Sequence, residues 1–101
     1  MQSGQIEIAD IVINPNARTV RVQDAPLNLT PREYDLLLYL AQNKNVALTR
    51  EQILDAVWNF EYFGDARTVD THIKNLRMKL GASGSVLKTV RGRGYRMEDQ
   101  P

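Results

Sequence analysis

The sequence predicts an α+β domain, with an N-terminal antiparallel sheet, three helices and a C-terminal β-hairpin. Three observations carry this. Residues 5–29 break into short β-prone runs separated by turn residues. Two Thr-x-x-Glu/Gln boxes then open segments whose apolar residues recur at helical spacing. Near the C-terminus, two further β-prone runs flank Arg91-Gly92-Arg93-Gly94.

Taken in order, residues 1–4 read as a frayed start or linker remnant. Ile6 and Ile8 alternate with Glu7, and Ile11, Val12 and Ile13 form a short run ended by Asn14-Pro15-Asn16. Val20 and Val22 alternate with Arg21, and Asp24-Ala25-Pro26 is read as the turn into Leu27-Asn28-Leu29. This is a meander of three or four strands, a scaffold without evident chemistry. Thr30-Pro31-Arg32-Glu33 caps the first helix, residues 30–43, and Pro31 suits its first position because no amide partner is lost there. Tyr34, Leu37, Leu38 and Ala41 supply its apolar face. Thr49-Arg50-Glu51-Gln52 caps the second helix, residues 49–59, with Ile53, Leu54, Val57 and Trp58 as its apolar side. A third helix is expected over residues 66–80, with Asp65 as N-cap and Gly81 as terminator. Val69, Ile73, Leu76 and Leu80 form its core stripe. Residues 86–97 form the hairpin, whose glycines suit the positive φ of a tight turn. One domain over residues 5–98 results, with a tail at 99–101.

Composition narrows the function. The chain has 101 residues, 43% hydrophobic and 25% charged, which suits one compact domain. No run approaches the length of a membrane span, and the N-terminus lacks a signal-peptide pattern, so a soluble cytoplasmic domain is expected. Cysteine is absent and His72 is the single histidine, which excludes thiolate and multi-histidine metal sites; no cofactor is implied. No Ser, Cys or carboxylate constellation accompanies His72, so an enzyme is not expected. The net charge of +1 hides an asymmetry. Residues 1–66 hold five Lys/Arg against nine acids, whereas residues 67–97 hold eight against Asp70 alone. That basic segment suits a polyanion, though charge alone favours a solvated basic face.

Placement favours the polyanion. Opposite its apolar stripe the third helix carries Arg67, Asp70, Thr71, Lys74, Asn75, Arg77 and Met78. An α-helix fits the major groove of duplex DNA, where Lys reads guanine acceptors, Asn reads adenine and a methyl can touch thymine. Arg67 and Arg77 suit phosphates. The competing reading is a salt-bridged wet face, with Asp70 and Lys74 paired at i, i+4. Met78 fits that reading poorly, because an apolar side chain there lacks a partner. The arginines at the hairpin tip suit the negative minor groove, or else an ordinary exposed turn. Tyr95 reads better as a packing residue than as a phosphate ligand, and Trp58 equally as core or as an indole donor to phosphate. A protein-interaction module using the aromatic residues of segment 59–66 is the alternative function. A single-strand or RNA binder would need stacking aromatics on a basic sheet, and here the sheet is acidic.

Three motifs resemble one family. Leu29-Thr30-Pro31-Arg32-Glu33-Tyr34-Asp35-Leu36-Leu37 resembles the first-helix signature of OmpR/PhoB-type effector domains. Arg67-Thr68-Val69-Asp70-Thr71-His72-Ile73 resembles the start of their recognition helix, and Thr89-Val90-Arg91-Gly92-Arg93-Gly94-Tyr95 their wing. The resemblance spans nearly the whole chain. It implies a winged helix-turn-helix with a four-stranded N-terminal sheet, acting as the DNA-binding part of a two-component response regulator. It further implies head-to-tail dimers on direct-repeat DNA, controlled through a phosphorylated receiver domain outside these 101 residues and its sensor kinase. By motif position, Thr71, Lys74 and Asn75 face bases, and Arg91 enters the minor groove with Arg93 beside it. Arg67, Thr68, His72, Arg77, Trp58 and Tyr95 are the implied backbone contacts. Phe60, Glu61, Tyr62 and Phe63 match a loop that in some relatives touches RNA polymerase. Asn75 stands where some relatives carry a basic residue.

Overall fold

The computed structural model describes residues 4–58 and 66–99. Strands β1 (Ile6–Ile8), β2 (Ile11–Asn14), β3 (Thr19–Val22) and β4 (Ala25–Leu27) form an antiparallel sheet in sequential order. Their turns follow local chemistry. The Asn14 side chain accepts from the amides of Asn16 and Ala17, the side-chain-capped turn that Asn favours. Between β3 and β4 the turn is Gln23-Asp24, both at positive φ, so the expected Asp24-Ala25-Pro26 turn is displaced by one residue. Pro26 lies within β4, an edge strand, where a missing amide is tolerated.

Helix α1 (Pro31–Gln42) has both halves of its capping box: Glu33 N–H donates to Thr30 Oγ1, and Thr30 N–H donates to the Glu33 carboxylate. Its buried face is wider than the expected stripe. Leu36 and Leu40 are buried and Leu38 only half-buried, because α1 is packed on several sides, by β1, the second and third helices and the last strand. Helix α2 (Arg50–Ile53) is also boxed, by Thr49 and Gln52. It is α-helical for only four residues and continues as a π-helical turn, Leu54–Trp58, a correction to the uniform helix expected over 49–59. Arg32 stabilises the end of that turn, donating to the Val57 carbonyl and stacking 5.2 Å from the Trp58 ring.

Helix α3 (Arg67–Leu80) begins after Ala66, which makes no side-chain cap; Asp65, the expected cap, lies outside the described residues. Gly81 ends the helix as expected, at φ 63°. A 3₁₀ segment (Gly81–Val86) leads into β6 (Leu87–Val90), which pairs with β7 (Gly94–Met97). One strand was not anticipated: β5 (Leu48–Thr49) pairs with β7, so the hairpin is part of a three-stranded sheet ordered β5-β7-β6. The two hairpin glycines differ in purpose. Gly92 has φ +75° at the turn position that requires it, closed by Arg93 N–H donating to Val90 O at 3.0 Å. Gly94 has no such conformation; a Cβ there would lie 2.1 Å from Leu48 O, so its lack of a side chain is what admits β5.

One apolar cluster joins Ile8, Ile11, Ile13 and Val20 of the sheet to Leu37 and Leu40 of α1, Ile53 and Trp58, the α3 stripe, and Leu87, Tyr95 and Met97 of the hairpin. Helix α3 and the hairpin thus share one core with the sheet and the first two helices.

Candidate nucleic-acid interface

Helix α3 divides by face. Val69, Ile73, Leu76 and Leu80 are each no more than 4% exposed. Arg67, Thr71, Lys74, Asn75 and Met78 are exposed. At about 100° per residue these five share an arc of roughly 100°, centred about 180° from the buried stripe. Among the described residues, Lys74 and Asn75 make no side-chain hydrogen bond or ion pair, which leaves an ammonium and an amide free on that arc. The Thr71 hydroxyl lies 3.4 Å from Arg67 O.

Asp70 and Arg77, expected on the outward arc, instead occupy the flank facing the hairpin. Tyr95 Oη donates to Asp70 Oδ1 at 2.6 Å, and Arg50 Nη1 donates to Asp70 Oδ2 at 3.3 Å. The carboxylate is therefore not paired with Lys74, against the wet-face reading. Arg77 donates through Nε and Nη2 to Leu87 O at 3.0 and 2.7 Å, and through Nη2 to Thr89 Oγ1 at 3.0 Å. Its guanidinium also lies 5.7 Å from the Tyr95 ring centre. Burial, then the hydrogen bond to Asp70 and its charge, push the Tyr95 phenol up to about 12. Arg77 and Tyr95, expected at phosphates, also tie α3 to the hairpin.

The opposite flank packs on the first two helices. His72 Nδ1 lies 2.8 Å from Thr68 O; a carbonyl only accepts, so this nitrogen carries the proton. The ring meets Trp58 edge-on at 5.0 Å. Trp58 is 6% exposed, so most of its ring packs in the core. Lys79 Nζ donates to Glu33 Oε1 at 2.6 Å, linking the end of α3 to the start of α1. Burial alone would raise the Glu33 carboxyl; hydrogen bonds from Lys79 and Thr30, with the Lys79 charge, outweigh it and hold the pKa below its ordinary value.

At the hairpin tip Arg91, Gly92 and Arg93 are exposed. An open cleft of about 530 Å³ separates Gly92 and Arg93 from Ala66 and Asp70 at the start of α3, and from Arg50 of α2. The tip therefore stands beside the N-terminal end of the exposed α3 arc. The cationic side of α3 is not packed inward, and the hairpin is not at the far end of the molecule. Phe60, Glu61, Tyr62 and Phe63 lie outside the described residues. Among the described residues, no group of His, Asp and Glu could hold a metal ion, and no helix is long and apolar enough to cross a membrane. Reasoning from sequence missed Arg50, Arg32 and Lys79 as organisers of this surface. The capping boxes around Arg32 and Arg50 were the local signals near two of them.

The family described as transcriptional regulatory protein, C terminal, matches residues 24–97. The chain belongs to that family. This effector domain, of the OmpR/PhoB type, is 45% identical over 97 residues to the transcriptional regulatory protein SrrA of Staphylococcus aureus. That match covers 92% of this chain and 40% of the relative, so the domain spans well under half of the curated protein it resembles. Its fold is that of solved winged-helix domains. The DNA-binding domain of CpxR from E. coli superposes with a TM-score of 0.82 at 34% identity, covering 95% of this chain and 97% of the other. The RstA DNA-binding domain of Klebsiella pneumoniae, solved in complex with RstA box, gives 0.85 at 28% identity, covering 95% and 98%. The effector domain is accordingly a response-regulator DNA-binding domain with a four-stranded sheet, three helices and a C-terminal wing.

Proposed function

We propose that this domain binds duplex DNA sequence-specifically, with α3 in the major groove and the wing tip in the adjacent minor groove, and so controls transcription. The observation that carries this is the exposed α3 arc, whose Lys74 and Asn75 have no partner among the described residues, with an arginine-bearing tip beside the arc's N-terminal end. Thr71, Lys74 and Asn75 read base edges, since Lys and Asn match guanine and adenine acceptor and donor patterns. Arg91 and Arg93 follow the minor groove. Arg67, Thr68, His72, Arg77, Trp58 and Tyr95 hold the backbone, and Arg77 and Tyr95 also fix the wing to α3. The relative solved with RstA box supports a duplex partner. Family membership supports the rest: head-to-tail pairing on direct repeats, a receiver domain answering to a sensor kinase, and polymerase contact through Phe60, Glu61, Tyr62 and Phe63.

Selection of bound duplexes from a random library, followed by mobility shift, tests this. An enriched sequence is expected, and its half-site spacing reports the dimer geometry. Lys74→Ala should lower cognate affinity about tenfold while leaving random-sequence binding nearly unchanged, as loss of a base contact does. A library with no enriched sequence, or an unchanged cognate-to-random ratio in Lys74→Ala, overturns the proposal.

A further inference from the structure

Met78 is 68% exposed, one of two large apolar side chains so placed among the described residues. Isolated exposed apolar residues are ordinary on protein surfaces. Two observations separate this one from that background. First, Met78 lies near the middle of the exposed arc, about 20° from the line through Arg67 and on the same side as Thr71 and Lys74, which it follows by seven and four residues. It therefore projects directly away from the core stripe, not along either flank where Arg77 and Lys79 bond to the scaffold. Second, its exposure leaves most of the side chain uncovered by the described residues, so the thioether arm is presented to whatever α3 meets.

We infer that Met78 is a specificity-determining residue that recognises the 5-methyl group of thymine in the major groove; the inference rests on the duplex-binding reading above. The thymine methyl is the one apolar feature among the major-groove base edges, and apolar side chains are its matching partners. Methionine suits it because three rotatable bonds and a polarisable sulfur let the side chain adapt to a small apolar group. Its position sets the range. From Thr71 to Met78 the helix advances about 10 Å, roughly three base-pair steps, so Met78 extends the footprint past the bases facing Thr71, Lys74 and Asn75. The wing tip stands by Ala66 and Asp70 at the other end of α3, so the thymine lies on the side of the site away from the minor-groove contact.

The test uses the 101-residue domain and the duplex enriched from the random library. Each thymine is replaced singly by deoxyuridine, which keeps every hydrogen-bonding group and removes only the methyl. At one thymine the wild-type domain should lose about fourfold in affinity, the worth of one buried methyl. Met78→Ala should bind the unmodified duplex about fourfold more weakly and show no further loss at that thymine. Met78 belongs neither to the core cluster nor to the hydrophobic residues packed against it, so an unchanged melting temperature confirms the variant is folded. An enriched sequence whose deoxyuridine profile is the same in wild type and Met78→Ala overturns this inference and leaves the duplex-binding reading intact. If no sequence is enriched, that reading fails and the inference falls with it.

Discussion

Replacing Tyr95 by Phe isolates the tie between α3 and the wing. The ring is 8% exposed and packs in the core, and Phe preserves that packing, so the change removes only the hydroxyl that donates to Asp70 at 2.6 Å. A hydrogen bond to a charged acceptor contributes about 1.5–3 kcal/mol. The lower end applies here, because the Asp70 side chain is 39% exposed, keeps the Arg50 contact, and can recruit water. A loss of about 1.5 kcal/mol should lower the melting temperature of a domain this size by roughly 6–12 °C. The alkaline dependence is a second, independent signature. The folded state raises the phenol from 10.0 to about 12, so it holds that proton more tightly than the unfolded chain does. The associated stability is fully present below pH 10 and is lost as pH rises toward 12. By pH 11 the wild type should therefore have surrendered about 1 kcal/mol of its advantage over Tyr95→Phe. Urea unfolding of both proteins at pH 8 and pH 11 measures this difference directly. Midpoints that coincide at pH 8, or a gap equally wide at pH 11, would refute the reasoning.

Other outcomes follow from the same contacts. Gly94→Ala places a methyl 2.1 Å from the backbone oxygen of Leu48, which has no flexible end to yield, and should cost more than about 3 kcal/mol in denaturant unfolding by driving β5 off the wing. Lys79→Ala leaves the buried Glu33 carboxylate without its cation and should cost about 1–2 kcal/mol at pH 7. Because the Glu33 pKa is lowered in the fold, its contribution is present above 4.5 and is lost as pH falls, so this deficit should narrow in acid titrations of stability. Arg91→Ala removes an exposed tip charge; it should leave the melting temperature unchanged and reduce the salt-dependence slope of duplex binding by roughly one unit.

What the sequence disclosed was local. Capping boxes at Thr30 and Thr49 bond within four residues, and the Val69-Ile73-Leu76-Leu80 stripe repeats at one helical period, so both were legible without tertiary knowledge. The hidden features join distant segments. Strand β5 has two residues, too few to show any period, and exists because β7 passes alongside. The π-helical turn leaves no compositional trace beside an ordinary apolar helix end. Arg77 and Tyr95 were placed at phosphates by motif position. Their hydrogen-bond partners are 10 and 25 residues away, a pairing that spacing along one helix does not reveal. The exposed face of α3 was read too broadly for the same reason, since its edges are defined by neighbours on either flank.

The residues of α3 fall into two groups with little overlap. Val69, Asp70, Ile73, Leu76, Arg77, Lys79 and Leu80 hold the helix in place, whereas Lys74, Asn75 and Met78 bond to nothing in the described domain. Surface replacements of the latter kind change stability by only about 0.5 kcal/mol. Duplicated copies of such a gene could therefore diverge toward new operators a side chain at a time, with folding no obstacle to the drift, and an engineer could follow the same route.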